Sequence, residues 1–184
     1  MEKTEKLEEK TLSTKELYHG RIINLRLDDV ELPDGNKSKR EFVEHPGGAA
    51  ILAIDGDDMW LVRQFRYPYK EVIEEIPAGK LEKGEEAIVT AKRELQEETG
   101  YDCDEIQPFG MIYPTPGYTN EHLYIFLAKG LKKRAMHLDD DEFISAYKRP
   151  LKAVLADILA GKIKDGKTCY AVQKYCLTHG ILPE

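Results

Sequence analysis

The run GEEAIVTAKRELQEETG, Gly84 to Gly100, constrains the fold of this chain more than any other stretch. It reads as one helix. Gly84 is placed to cap it, Glu85 and Glu86 suit the positive end of its dipole, and Gly100 is placed to stop it. Ala87, Ile88, Ala91 and Leu95 recur at helical spacing and form an apolar stripe. Glu94, Glu97 and Glu98 crowd the neighbouring positions, and each like-charge pair three or four residues apart costs roughly 0.2–0.5 kcal/mol on a bare helix. A solvated acidic face carries that cost easily, so crowding alone decides nothing. At about 100° per residue, however, the stripe lies beside the Glu94 face rather than opposite it. The glutamates therefore border the protein body, which favours a cleft over a free surface.

The remaining segments are mostly extended. RIINLRLDDVELPDG and KSKREFVEH are two such runs joined by a Pro-Asp-Gly turn, a hairpin that follows a charged tail, MEKTEKLEEKTLSTKE. AAILAI and MWLVRQFRY flank DGDD as a second hairpin, and EVIEEIPAG gives a short strand ending at Pro77. After the helix come strands FGMIY and HLYIFLAKG, joined by the loop PTPGYTNE, then an acidic loop, HLDDDEFI. PLKAVLADILAG and KTCYAVQKYCLTH read as two closing helices. Strands interrupted by one central helix and closed by two others predict an α/β (α+β) fold, a mixed sheet sandwiched between helices.

At 184 residues, with 41% hydrophobic and 33% charged residues, the chain suits one main domain with a small appendage. The longest apolar run, GGAAILAI, is too short to span a bilayer, and the N-terminus lacks the apolar core of a secretory signal. A cytoplasmic location and no membrane partner are the expectation. Cys103, Cys169 and Cys176 are odd in number and make no C-x-x-C, which argues against disulfides and zinc and for packed thiols. His19, His45, His122, His137 and His179 show no metal-ligand spacing. A net charge of −7 argues against sequence-independent nucleic-acid binding, which depends on clustered Lys and Arg. An anionic ligand would need local arginines or bound cations.

The spacing around the glutamates is more specific: Gly79, five residues, Glu85, seven residues, then Arg93-Glu94-Leu95-x-Glu97-Glu98-x-Gly100. Eight fixed positions at about 7% each coincide by chance at about 10⁻⁹ per starting position. This pattern resembles the Nudix hydrolase box. The position after Gly100, usually aliphatic in that family, is Tyr101, which is apolar enough to pack. Carboxylates at helical spacing also suit a hard cation such as Mg²⁺, which shares its sphere with substrate phosphates.

The resemblance implies a Nudix-type α/β/α sandwich with a mixed sheet over residues 46–184, and an N-terminal antiparallel β subdomain over residues 1–45 that dimerises. Metal ligands by resemblance are Glu94, Glu97, Glu98 and the Ala78 carbonyl, holding two or more ions of Mg²⁺ or Mn²⁺. Arg93 holds the glutamates in place, and Glu85 supports that network. EIPAGKLEKGE and PTPGYTNE look like the ADP-ribose pyrophosphatase branch, in which a proline lies 16 positions after the last box glycine; here that residue is Pro116, followed by Gly117. The same branch implies Arg66 on the substrate phosphates, Glu121 on a ribose, and a homodimer whose N-terminal hairpin, including Arg40, reaches over the partner's active site. Its aromatic near the start of the N-terminal sheet is missing, since HGRIINL offers only Ile22 and Ile23. The family's water-activating glutamate falls in HLDDDEFI, where Asp140 occupies its position and Asp141 and Glu142 stand beside it; failing these, Glu97 or Glu85 is the base. The expected substrate is ADP-ribose, with another nucleoside diphosphate sugar such as GDP-mannose or ADP-glucose as the alternative. A non-hydrolysing nucleotide sensor is a further alternative, but such a sensor would be expected to have lost box glutamates.

Overall fold

The computed structural model describes residues 7–136 and 143–183. The chain's first strand, β1 (Lys10–His19), has no buried residue. It pairs antiparallel with β2 (Asn24–Glu31), which pairs antiparallel with β3 (Lys37–Glu44). The β2–β3 hairpin is the one expected from sequence, whereas β1 was expected to be part of a tail. With every side chain exposed, β1 carries no hydrophobic pattern to read, and backbone hydrogen bonds to β2 hold it. Its lysines and threonines suit an exposed edge. Residues Thr115–Glu121 belong with this three-stranded sheet, forming one unit with the chain up to Pro46. Val43 N donates to Tyr118 O at 2.7 Å, and Val43 and Thr119 form a parallel bridge.

The second unit comprises Gly47–Pro114 and the chain from His122 onward. Its centre is β4 (Gly48–Asp55), buried at every position but the last. A strand covered on both faces reads as a continuous apolar run rather than an alternating one. Ala49, Ile51 and Ala53 pack on one face, and Ala50, Leu52 and Ile54 on the other. β4 meets β5 (Asp58–Arg66) through only two register pairs, Ile54 with Met59 and Asp55 with Asp58. Beyond that the two strands splay. The gap is filled by β6 (Glu71–Glu75), antiparallel to β5, and β7 (Ala78–Lys80), antiparallel to β4. Pro77 separates β6 from β7, having no N–H to give a ladder, while its carbonyl accepts from Ile51 N at 2.9 Å.

The helix α1 (Ala87–Thr99) follows, then β8 (Tyr101–Ile112), β9 (Leu123–Lys133), β10 (Ile144–Pro150), α2 (Leu151–Leu159) and α3 (Gly166–Thr178). The sheet order is β10-β5-β4-β9-β8, and only β4–β9 is parallel. Ala91 and Leu95 of α1 cover one face; Leu151, Val154, Leu155 and Ile158 of α2, with Ala171, Val172, Tyr175 and Cys176 of α3, cover the other. This is the expected α/β/α sandwich around a mixed sheet. Two strands are longer than the sequence suggests or absent from its reading. β8 begins eight residues before FGMIY because an edge strand bearing Asp104, Glu105 and Pro108 has little apolar alternation. β10 lies at the opposite edge and is only partly buried. Burial raises the thiols of Cys103, Cys169 and Cys176 above their ordinary value, consistent with packed, unreactive residues.

Candidate active site

Helix α1 starts later than its sequence suggests. The N-cap is Glu86, in extended conformation and without a side-chain cap bond, and Gly84 instead forms a turn at φ +82°. The reason lies in Glu85. Its carboxylate accepts from Glu82 N at 3.3 Å and Thr90 Oγ1 at 2.7 Å, and it faces Arg93 at 3.4 Å, so it lies over the first turn rather than inside it. At the other end Gly100 takes the left-handed conformation at φ +73° and donates to Gln96 O, the expected stop.

The glutamates divide by burial. Glu94 and Glu98 are 7% and 3% exposed, one helical turn apart, while Glu97 is half-buried beside them. Arg93 Nη1 donates to Glu94 Oε1 and to Glu97 Oε2, each at 2.8 Å. Burial works against the charge on this guanidinium, but bonds to Glu85 and Glu97 and the charge of Glu94 outweigh it and raise its pKa. The turn after Pro77 meets the helix from the sheet side. Ala78 N donates to Glu98 Oε2 at 3.1 Å. Gly79 lies so close to Glu94 that a Cβ there would sit 1.7 Å from Oε1, so only glycine permits this approach. The glycine and glutamate of the motif are thus two sides of one contact.

A neighbouring cluster lies under the same turn. Arg66 at the end of β5 forks onto Glu75, Nε to Oε1 at 2.6 Å and Nη2 to Oε2 at 2.8 Å. Glu75, 2% exposed, also accepts from Lys167 Nζ. Lys167 donates to Asp165 Oδ1 at 3.0 Å; Asp165 caps α3 by accepting from Thr168 N at 3.0 Å and Thr168 Oγ1 at 2.6 Å. Thr168 Oγ1 in turn accepts from Ile76 N at 2.8 Å. Burial pushes the Glu75 carboxyl up, yet the Arg66 bonds and the Lys167 charge prevail and hold it below the ordinary range. The Glu75 bond raises the Arg66 pKa against the effect of burial, with smaller contributions from the charges of Glu75 and Glu98.

Residues 26–171 match the sequence profile of the NUDIX domain. The chain belongs to the NUDIX family. It is 46% identical over 169 residues to the methanol dehydrogenase activator of Bacillus methanolicus, covering 90% of this chain and 91% of that protein. It is 44% identical over 170 residues to an ADP-ribose pyrophosphatase of Bacillus subtilis (strain 168), covering 91% and 92%. Among solved structures, that of an ADP compounds hydrolase superposes with a TM-score of 0.81 at 20% identity, covering 95% of this chain and 97% of that one, a likeness of fold.

Of the site residues expected from sequence, this NUDIX fold brings Ala78, Arg93, Glu94, Glu97 and Glu98 together, with Arg66 nearby. Arg40, Pro116, Gly117 and Glu121 belong to the first unit. There Arg40 is forked onto Glu9 at 2.9 and 2.5 Å, Pro116 and Gly117 are exposed, and Glu121 lies 3.7 Å from His45. Asp140, Asp141 and Glu142 lie outside the described residues. Glu75, Asp165, Lys167 and Thr168 were missed. Period-2 alternation in EVIEE puts Glu75 on the face of Ile73, and DGKT before a helical run is an N-cap signature; together they give the only local signals.

The donor set fits a divalent cation. Three carboxylates, those of Glu85, Glu94 and Glu97, meet one arginine, and the carboxylate of Glu98 is buried one helical turn from Glu94. Among the described residues no group of three or more His, Cys, Asp or Glu side chains is already placed to hold a metal ion, so waters and substrate phosphates would complete the sphere of an ion such as Mg²⁺ held here.

Proposed function

We propose that this chain hydrolyses ADP-ribose to AMP and ribose 5-phosphate. The observation that carries the reading is the buried Glu94–Glu98 pair, held against Gly79 and Ala78 N and bonded through Glu94 to Arg93. Such a pair is costly unless a cation joins it. The similarity to an ADP-ribose pyrophosphatase across nearly the whole chain supports the choice of substrate. Glu94, Glu97, Glu98 and the Ala78 carbonyl would hold two or more ions of Mg²⁺ or Mn²⁺. Bound there, the cations would neutralise phosphoryl oxygens and lower the pKa of water. Water attacks one phosphorus, the bridging P–O bond breaks, and the proton of the water passes to a carboxylate. Asp140, Glu142 or Glu97 takes that proton. Arg93 keeps the glutamates aligned, and Arg66 meets the phosphates. Arg40, Pro116, Gly117 and Glu121 contact the substrate in a cytoplasmic homodimer that the N-terminal sheet helps to form.

The deciding assay sets about ten nucleoside diphosphate compounds against the protein with Mg²⁺ and identifies products by mass. ADP-ribose is expected to give the highest kcat/KM, with AMP and ribose 5-phosphate as products. Preference for GDP-mannose or ADP-glucose would move the substrate; no turnover of any compound would end the hydrolase reading. The similarity to a methanol dehydrogenase activator favours a second reading, stimulation of a partner dehydrogenase. Adding wild type and Glu98→Gln to a purified methanol dehydrogenase tests it: stimulation by both would separate that role from hydrolysis.

A further inference from the structure

Lys167 is a lysine whose side chain is only 10% exposed, and its ammonium is committed to two carboxylates, Glu75 and Asp165. The environment is selective. Glu75 receives Lys167 on Oε2, the oxygen that also accepts from Arg66 Nη2, while Oε1 takes Arg66 Nε. A carboxylate held by two cations cannot swing to follow either one. Its fork on the Nε and Nη2 side of Arg66 fixes the plane of that guanidinium and leaves the Nη1 side for a second anion. The second tie, Asp165 to Thr168 to Ile76 N, fixes the start of α3 to the link between β6 and β7, two residues before Ala78. Charge points the same way. Arg66, Lys167, Glu75 and Asp165 sum to zero, and without Lys167 the cluster would carry a net negative charge next to a phosphate site.

We propose that Lys167 is a positioning residue for the substrate: through Glu75 it holds Arg66 in the orientation that meets the diphosphate beside Glu98. This rests on the diphosphate hydrolase reading above, and it is tested on binding as well as turnover. The measurements are the Kd of ADP with Mg²⁺ by calorimetry, KM and kcat with ADP-ribose, Mn²⁺ affinity, and melting temperature. Lys167→Met should weaken ADP and raise KM about tenfold, the effect of one charge-assisted hydrogen bond. Its kcat should stay within a few-fold of wild type, Mn²⁺ affinity should not fall, and Lys167→Arg should restore ADP binding. If Lys167→Met is too unstable to assay, Glu75→Gln combined with Lys167→Met removes one charge of each sign and keeps the cluster neutral, with Arg66 balanced by Asp165. That double variant should also bind ADP about tenfold more weakly, because Arg66 loses its fork. Wild-type ADP affinity in either variant would overturn the proposal, as would parallel loss of ADP binding, Mn²⁺ binding and melting temperature. Weakened ADP binding in a chain that turns out not to cleave ADP-ribose would retain the role of Lys167 and remove only the substrate.

Discussion

Two arginines flank the turn Ile76–Gly79, and they are used in opposite ways. Arg93 is outnumbered, a single guanidinium within 2.8–3.4 Å of Glu85, Glu94 and Glu97, with Glu98 buried beside them. Arg66 sits in a balanced set, matched with Glu75 while Lys167 is matched with Asp165. The first arrangement gathers more carboxylates than guanidinium groups and suits a divalent cation. The second is complete and gains its value from direction: it fixes where a guanidinium points. Charge surplus and charge balance are thus placed side by side, one suited to metal and the other to an anionic substrate.

Removing charge from the surplus side should have the largest effect. Glu98→Gln keeps the acceptor for Ala78 N but loses the negative charge, and kcat at saturating Mg²⁺ should fall by more than the roughly 10- to 100-fold typical of a supporting residue. Turnover within a few-fold of wild type would remove Glu98 from the site. Arg93→Lys comes next. A point charge cannot serve Glu85, Glu94 and Glu97 together, so a loss of about 10- to 100-fold in kcat is expected, read from steady-state kinetics with circular dichroism as the fold check. On the balanced side, Arg66→Ala should raise KM for ADP-ribose about tenfold with a smaller change in kcat. Equal kinetics would leave Arg66 as a purely structural partner of Glu75.

The smallest effect concerns pH. Glu75 has a lowered pKa in the folded chain, so its contribution to stability is fully present above the ordinary glutamate value of about 4.3. That contribution is lost as pH falls through the depressed folded value. The melting-temperature gap between wild type and Glu75→Gln should therefore be constant from about pH 6 to 7 and close as the medium is acidified below about pH 4. A gap that widened on acidification would contradict the assigned direction.

How much of this was readable in the sequence depended on distance along the chain. The Glu94, Glu97 and Glu98 cluster was legible because one helix fixes its geometry, and the sheet core because β4 is apolar at nearly every position. The start of α1 was misread because Glu85 bonds to Thr90 and Arg93 instead of serving the helix dipole. Lys167 was illegible for a different reason. Its partner Glu75 lies 92 residues away, and nothing in either local segment names the other. β1 escaped because a strand without a buried side chain leaves no periodic trace.

The single parallel ladder has a consequence for how the molecule assembles. Gly48 pairs with Leu123, about 75 residues later, and the chain between them contains β5 to β8 and all of α1. The β4–β5 hairpin and α1 can begin locally, but the sheet surface on which α1 lies needs that long loop to close. Closure entropy must be met before the contacts that reward it are made. Refolding followed by tryptophan fluorescence at Trp60 and by Mn²⁺ binding should therefore show the cation-binding function arriving with the final cooperative step, so that a partly folded chain holds no partly working enzyme.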